Sequence, residues 1–270
     1  MVKNTLPRLM SVAIAVATLA LSACSTPADP TPSRGASTGT APKGTGADRG
    51  ILILGDSVAE QEGVALIASL GAAGVRVTNG AADGSSLTLV PDKTKEIEAA
   101  IDAVKPGIVI YQLGVMDFGS EGQQREAYET LAALVKKTYV QLLFVTSPPI
   151  KTIEGDKFQG SEKIAELTRL PKIAADIAHR NPANVKFLDA TPLWGTEFKL
   201  TGSNSDKQIR ADDGIHLCVT GAAVLAAWIP EQMATLYDDI APAKPESWLN
   251  GSWTNDRKME ILAPRCTAKK

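Results

Sequence analysis

The sequence Ile51-Leu52-Ile53-Leu54-Gly55-Asp56-Ser57 carries the clearest indication of the fold class. Four consecutive apolar residues followed by a Gly-Asp-Ser turn predict a parallel strand that is buried on both faces. Apolar residues at helical spacing over Val58–Ala73 predict a helix directly after the turn, and glycines at 71 and 74 end it. The segment therefore indicates a strand that leads through a tight turn into a helix.

The alternation of apolar runs and helix-period segments continues along the chain. Further strands are predicted at Val75–Thr78, Ile108–Leu113, Val140–Val145 and Val185–Leu188. Helices are predicted at Asp92–Val104, Gln123–Lys137, Ser161–Arg180 (with a break near Pro171) and within Cys218–Tyr237. This order predicts an α/β domain whose five-stranded parallel sheet is covered on both faces and binds ligands at the carboxyl ends of its strands. The segment Asp238–Lys270 shows little periodicity and has no assigned structure.

Two short segments carry residues suited to nucleophilic catalysis. Ser57 follows the first strand, where a helix N-terminus can stabilise an oxyanion, although serine also favours this position as a helix cap. Asp213-Gly214-Ile215-His216 supplies a base and an orienting carboxylate. The chain has two histidines, and His179 falls in a charged helix, so His216 is the candidate base. The alternative for His216 is a structural loop histidine.

These segments resemble the conserved blocks of the SGNH (GDSL-type) hydrolases over about residues 50–237. Gly55-Asp56-Ser57 is similar to the first block, Asn79 to Gly84 to the second, and Asp213 to His216 to the Asp-x-x-His block. The resemblance implies a flavodoxin-like three-layer α/β/α fold, a Ser57-His216-Asp213 triad, and an oxyanion hole formed by the N–H groups of Ser57 and Gly84. Asp56 and Asp117 are candidates for supporting hydrogen bonds beside the site.

The third block departs from the family pattern Gly-x-Asn-Asp, whose asparagine donates to the oxyanion. The chain has Gly114-Val115-Met116-Asp117, and the methionine side chain has no N–H group. Losing one such donor typically costs about 10²–10³ in rate. Three interpretations follow: another donor such as Gln112 or a tail residue, a slow or substrate-selective enzyme, or an inactive site. With this third block, the chain also resembles variant SGNH domains that are associated with membrane acyltransferases of bacterial envelopes.

The N-terminal residues predict export and lipid anchoring. Residues 1–23 combine Lys3 and Arg8 with a short apolar run, which is typical of a signal peptide. Leu21-Ser22-Ala23-Cys24 resembles a bacterial lipobox, so Cys24 is the predicted acylation site; an ordinary signal peptide is the alternative. Residues 24–49 are rich in Pro, Ser, Thr, Gly and Ala and predict a flexible linker. The expected location is the outer face of the cytoplasmic membrane, and residues 50–270 form the predicted catalytic domain with its C-terminal tail.

Charge and cysteine content bear on which ligands and cross-links the protein is expected to have. The net charge of −2 offers no basic surface for nucleic acid, and the sequence shows no cysteine or histidine cluster typical of a metal site, so neither a metal nor a cofactor is expected. Apart from Cys24 the chain has Cys218 and Cys266, and an oxidising compartment favours a disulfide between them over two buried thiols.

Two functions follow from these features. The first is a cell-envelope serine esterase or O-acyltransferase acting on acyl esters of glycans or glycolipids, with a membrane acyltransferase as a possible partner. The alternative is a catalytically inactive lipoprotein that binds an envelope glycan or a partner protein in the same cleft.

Overall fold

The computed structural model of the protein describes residues 50–202 and 206–267. Its sheet contains β1 (Ile51–Leu54), β2 (Val77–Asn79), β3 (Ile108–Gln112), β4 (Gln141–Val145) and β5 (Val185–Leu188). The helices are α1 (Ser57–Ala72), α2 (Lys93–Val104), α3 (Glu121–Lys137), α4 (Ser161–Leu167), α5 (Leu170–Arg180), α6 (Thr191–Trp194), α7 (Val219–Leu236) and α8 (Arg257–Glu260). Short 3₁₀ helices lie at Pro245–Ser247, Ser252–Asn255 and Ala263–Arg265.

All neighbouring strands are parallel, and their order in the sheet is β2-β1-β3-β4-β5. This is the flavodoxin-like order, in which the chain switches direction between β1 and β3. The predicted fold class is therefore confirmed. The switch brings the end of β1, where Ser57 lies, beside the end of β3.

The strands divide their side chains between two separate cores. Ile51 and Ile53 pack with α1 and α7 on one face, whereas Leu52 and Leu54 pack with α2, α3 and α5 on the other. Successive strand residues point to opposite faces, so a continuous apolar run is what a doubly covered strand requires. The unbroken Ile51–Leu54 run thus accounts for the three-layer arrangement.

The structure bears on two of the predicted element boundaries. The break predicted near Pro171 is confirmed: Ser161–Arg180 forms two helices, α4 and α5, and Pro171 lies in the first turn of α5, where its missing N–H is not needed. The second strand begins at Val77 rather than Val75, because the N–H of Val75 donates to the Leu70 carbonyl and so closes the end of α1.

The tail after α7 has a structure that the sequence pattern did not reveal. Trp248, Trp253 and Met259 are buried in the same core as α1 and α7. The tail reaches them through helical segments of three or four residues, which are too short to show a 3.6-residue period. It is therefore an integral part of the α1 face of the domain.

The predicted signal peptide (residues 1–23) and the linker (24–49) with Cys24 lie outside the described residues. Among the described helices, none combines the length and the apolar character needed to cross a bilayer.

Candidate active site

Ser57 is the first residue of α1, immediately after the turn that leaves β1. Gly55 has φ +145°, and a Cβ there would lie 2.5 Å from the Ala59 Cβ, so a side chain would be both strained and obstructed. Asp56 caps the helix, and its Oδ1 accepts the Val58 N–H at 3.0 Å. The turn thus holds Ser57 just beyond the carboxyl end of β1, with the first helical N–H groups around it.

A continuous chain of hydrogen bonds joins the three predicted site residues. His216 Nε2 lies 2.9 Å from Ser57 Oγ, and His216 Nδ1 lies 2.8 Å from Asp213 Oδ2. The His216 side chain is 24% exposed and that of Asp213 is 13% exposed, so the imidazole can be reached from solvent while its carboxylate partner is mostly covered. This arrangement suits proton transfer from the serine hydroxyl to the imidazole.

Asp213 is held as a carboxylate. Partial burial opposes its ionisation, but the hydrogen bond from His216 and those from the Ile215 and His216 backbone N–H groups outweigh it and hold the pKa of Asp213 well below its ordinary value. The backbone bonds go to Oδ1, which leaves Oδ2 facing the imidazole. An ionised carboxylate in this position favours the tautomer with the proton on Nδ1.

Arg210 supports the loop that carries His216. Its guanidinium is buried and donates to the carbonyls of Pro149 (2.6 Å), Ile215 (2.7 Å) and His216 (3.4 Å). Burial lowers the pKa of Arg210 to about 10, while Asp213 and Glu62 favour its charged form. The side chain therefore acts as a charged cross-link between the segment after β4 and the His216 loop.

Further contacts join this loop to α1 and to the tail. The buried Gln61 of α1 accepts the Leu217 N–H at 3.1 Å. Cys218 and Cys266 form a disulfide, and the neighbouring Arg265 accepts the Asp212 N–H through its carbonyl at 3.0 Å. The Arg265 guanidinium also lies 3.3 Å from Asp213 Oδ2. The tail thus reaches the carboxylate of the candidate triad directly.

Gly84 lies in a turn beside the end of β1. The Ala82 N–H donates to the Gly55 carbonyl at 3.2 Å, and the Ser85 N–H donates back to Ala82. Gly84 has φ +67°, and a Cβ added there would meet nothing within 4 Å. No hydrogen bond among the described residues uses its N–H. This position is compatible with the role expected of the Gly84 N–H as an oxyanion donor. Its contact with a substrate stays a prediction.

Asp117 is the centre of a buried hydrogen-bond network next to the site. It is fully buried and joins the loop after β2 to β3 and α3. Its donors are Ser86 Oγ (2.9 Å), the Leu87 N–H (2.8 Å), the Tyr111 hydroxyl (2.7 Å), the Tyr128 hydroxyl (2.8 Å) and the Gly114 N–H (3.2 Å). A carboxylate with this many donors fixes the loop just after Gly84 relative to the turn that contains Met116.

Asp56 is the second acidic residue beside the serine. Its Oδ2 accepts the Val115 N–H at 2.6 Å, so it ties the serine turn to the end of β3. Burial, with a smaller contribution from Asp117, raises the pKa of Asp56 to about 6. Asp56 and Asp117 both lie where the sequence placed supporting residues, on hydrogen bonds that shape the site.

Met116 and Gln112 were the residues in question for the missing oxyanion donor. The Met116 side chain is partly buried against the α1-side core. Gln112 is buried and its side-chain N–H donates to Glu62, so it is engaged below the site rather than available to an oxyanion. Burial raises the pKa of Glu62 well above its ordinary value. Gln112 is therefore not favoured as the donor that replaces the asparagine, because its side-chain amide is buried and already contacts a carboxyl group.

Sequence reasoning missed Arg210, Gln61 and Arg265. Arg210 stands only three residues before Asp213, so its position was visible but its burial was not. Gln61 and Arg265 act through contacts with partners far away in the chain, for which no local pattern exists. Among the described residues, no group of three or more His, Cys, Asp or Glu side chains could hold a metal ion.

Comparisons with known proteins agree with this architecture. The structure resembles a carbohydrate acetylesterase from Sinorhizobium meliloti (18% identity, TM-score 0.54, covering 70% of this chain and 100% of that one). It also resembles an aryl esterase from M. smegmatis (15%, 0.51, 70% and 99%) and a putative arylesterase from Agrobacterium tumefaciens (20%, 0.51, 71% and 99%). These likenesses show the shared fold.

Comparison with curated proteins and comparison with family profiles give different results. None of the curated proteins compared with the chain matches it. The sequence profile of the family described as GDSL-like Lipase/Acylhydrolase matches residues 40–229, which include Ser57, Gly84, Asp213 and His216. Because this match spans well over half of the chain, the protein belongs to the GDSL-like lipase/acylhydrolase family.

Proposed function

We propose that the protein is a serine esterase or O-acyltransferase that cleaves acyl esters of cell-envelope glycans or glycolipids. The observation that carries the proposal is the hydrogen-bond chain from Asp213 through His216 to Ser57, with distances of 2.8 and 2.9 Å. Its members come from segments 159 positions apart in the chain, so they meet only through the fold. Membership of an acylhydrolase family supports the same chemistry.

The proposed reaction begins when His216 Nε2 takes the proton of Ser57 as Oγ attacks the ester carbonyl carbon. Asp213 accepts the Nδ1–H hydrogen bond and stabilises the imidazolium that forms. The tetrahedral intermediate then collapses, the C–O bond to the alcohol breaks, and the alcohol leaves with the proton from Nε2. Attack by water on the acyl-serine gives an esterase, whereas attack by a sugar or lipid hydroxyl gives an acyltransferase.

The oxyanion of the intermediate requires donors close to Ser57. The Ser57 N–H belongs to the first turn of α1, where N–H groups lack partners within the helix and the helix dipole favours negative charge. The Gly84 N–H is the second proposed donor. With Met116 in the third block, these two backbone groups supply the hole without an asparagine side chain.

The substrate class and location rest on the sequence of the N-terminus and on the comparisons. The lipobox-like Leu21-Ser22-Ala23-Cys24 motivates a lipid anchor, which would hold the domain close to envelope glycans and glycolipids. One structural neighbour is described as a carbohydrate acetylesterase. A membrane acyltransferase partner is the further proposal that the third-block departure motivates. Two measurements would test the location. One is whether globomycin blocks processing of the precursor, and the other is whether the Cys24→Ala variant loses its association with the membrane.

Fluorophosphonate labelling tests the active serine without a choice of substrate. We expect the full-length protein to be labelled, and we expect Ser57→Ala and His216→Ala each to abolish labelling. The matched control is His179→Ala, which removes the only other histidine from an exposed position on α5 and should label like wild type. Absence of labelling in folded wild-type protein would favour the non-catalytic alternative.

The second candidate function is an inactive lipoprotein that binds a glycan or a partner protein in the same cleft. Met116 favours it, because its apolar side chain packs against the core and offers no N–H group at the usual donor position. This function predicts that Ser57→Ala restores the phenotype of a deletion strain as well as wild type does. Failure of Ser57→Ala to complement, with normal protein levels, would exclude it.

A further inference from the structure

The loop between β4 and α4 (residues 146–160) packs against the turn that carries the candidate base. The Lys151 N–H donates to the Gly214 carbonyl at 2.8 Å. The side-chain Nε2 of Gln159 donates to the carbonyls of Lys151 (3.0 Å) and Asp213 (3.1 Å). One side-chain amide thus ties the main chain of this loop to the main chain of a residue of the candidate triad.

Gln159 is itself held in place by its own loop. It is buried, and Asp156 Oδ1 accepts the N–H groups of both Phe158 and Gln159 at 2.8 Å. The Gln159 carbonyl accepts the Ile153 N–H, also at 2.8 Å. Because these bonds already fix its main chain, Gln159 needs to order only its side-chain rotamers to reach the two carbonyls.

Gly214 allows the loop and the turn to approach each other closely. It has φ +78°, and a Cβ added there would lie 2.5 Å from the Lys151 Cβ and 3.0 Å from Gln159 Nε2. Any other residue would therefore be strained in its main chain and would push the loop away. The loop thus restrains the turn by direct contact as well as by hydrogen bonds.

The same loop also contacts the serine side of the site. The Phe158 ring stacks on that of Phe118, with 6.2 Å between the ring centroids and an angle of 16° between the planes. Phe118 directly follows Asp117, whose carboxylate accepts hydrogen bonds from the loop after β2. The neighbouring residues Phe158 and Gln159 therefore contact the segment beside the serine turn and the main chain of Asp213, respectively.

We propose that Gln159 is a positioning residue that sets the orientation of the Asp213–His216 pair relative to Ser57. The inference rests on the proposed esterase or acyltransferase function, and Gln159 acts in it through Asp213. The carboxylate of Asp213 binds His216 while its main-chain carbonyl is held by Gln159, so a shift of the main chain moves the carboxylate with it. Proton transfer from Ser57 to His216 depends on a hydrogen bond of 2.9 Å, so such a shift lowers kcat.

The kinetic test is Gln159→Met, which keeps the length of the side chain and removes its N–H groups. With full-length protein and 4-nitrophenyl acetate, we expect kcat to fall about tenfold and KM to stay within about twofold, since Arg210 and Lys151 still hold the turn. The matched control is Gln232→Met on α7, whose side chain has no hydrogen-bond partner among the described residues; it should behave like wild type. An equal effect of the two substitutions, or a change confined to KM, would overturn the proposal.

A spectroscopic measurement separates this inference from the proposed function. Nuclear magnetic resonance of full-length protein with isotope-labelled histidine reports on His179 and His216, the two histidines of the chain. We expect Gln159→Met to shift or broaden the ring signals of His216, because its hydrogen bond to Asp213 changes, and to leave those of His179 as they are. Gln232→Met should change neither set.

Unchanged His216 signals in the Gln159→Met variant would refute the positioning role, whether or not the wild type is active. Changed His216 signals in a protein that fluorophosphonate does not label would support the contact through Asp213 and count against catalysis alone. The two proposals can therefore fail separately.

Discussion

Ser57 is carried by the strand-to-helix turn at the carboxyl end of β1, whereas His216 lies on the long connection between α6 and α7. The serine side is supported by the buried Asp56, which caps α1 and binds the Val115 N–H just after β3. The histidine side is supported by Arg210, which joins its carbonyls to that of Pro149, by Gln61, which holds the next N–H, and by a disulfide to the tail. The nucleophile thus lies at the junction of two regular elements, whereas the base lies on a loop that side-chain cross-links hold.

The two sides also differ in the charge that they stabilise. Burial raises the pKa of Asp56 to about 6, which means that its ionised form is costly. Hydrogen bonds instead hold the pKa of Asp213 well below its ordinary value. The carboxylate beside the base is therefore stabilised in its charged form, whereas the carboxyl group beside the serine contributes hydrogen bonds that fix the turn.

The largest effect is expected from Asp213→Asn on the histidine side. Oδ1 is held by two backbone N–H groups, so the amide NH₂ would face His216 Nδ1 and leave the proton on Nε2, where it cannot accept one from Ser57. We expect kcat to fall about 10⁴-fold with the fold retained. Asp212→Asn, at the exposed neighbouring position, is the control for steady-state kinetics and should stay near wild type. Comparable activity of the two variants would contradict the triad.

Removal of the disulfide tests whether the histidine side depends on its cross-links. The Cys218–Cys266 bond closes a loop with a sequence separation of 48, for which the chain-entropy model gives about 4 kcal/mol of stability. We expect Cys218→Ser/Cys266→Ser to lose stability on this scale in denaturant titrations and to lose activity at temperatures where it is still folded. Wild type under reducing conditions should behave in the same way. Full activity of the reduced, folded protein would show that Arg210 and Gln61 suffice.

The serine side has a pH dependence of opposite sign to that of Asp213. Because the folded pKa of Asp56 is raised from 3.8 to about 6, its contribution to stability is present at acidic pH and is lost as the pH rises through this window, by about 3 kcal/mol. We expect Asp56→Asn to remove this slope when free energies of unfolding are measured from pH 3.5 to 7. Because the slopes are compared, a pH-independent loss of stability from the broken hydrogen bond to Val115 does not affect the result. Parallel curves for variant and wild type would be the contrary result.

The smallest effect concerns the Arg265 guanidinium, 3.3 Å from Asp213 and more than half exposed. Its positive charge lies beside the carboxylate that orients His216, so Arg265→Gln should change kcat/KM by less than about fivefold. Arg265→Lys keeps the charge and should keep most of the wild-type rate. Higher ionic strength should reduce the difference, since exposed charges are screened. An equal change in both variants would assign the effect to packing.

Much of the site was predictable because its chemistry lies at strand ends. The run Ile51–Leu54 predicted a buried strand, and the Gly-Asp-Ser that follows it placed Ser57 correctly at the start of a helix. His216 was identified because the chain has only two histidines. The role of Gln112 was not predictable, since nothing in a strand-end glutamine indicates that a buried Glu62 from another element will occupy it.

The α/β class, the strands, most of the helices and the candidate catalytic residues could all be predicted from the sequence alone. Those properties depend on local periodicity and on residue type, which can be read within a window of a few residues. How His216 is held and where the tail packs became visible only in the tertiary structure. These depend on contacts such as that between Gln61 and Leu217, which are 156 positions apart, and whose energies come from burial that no local pattern records.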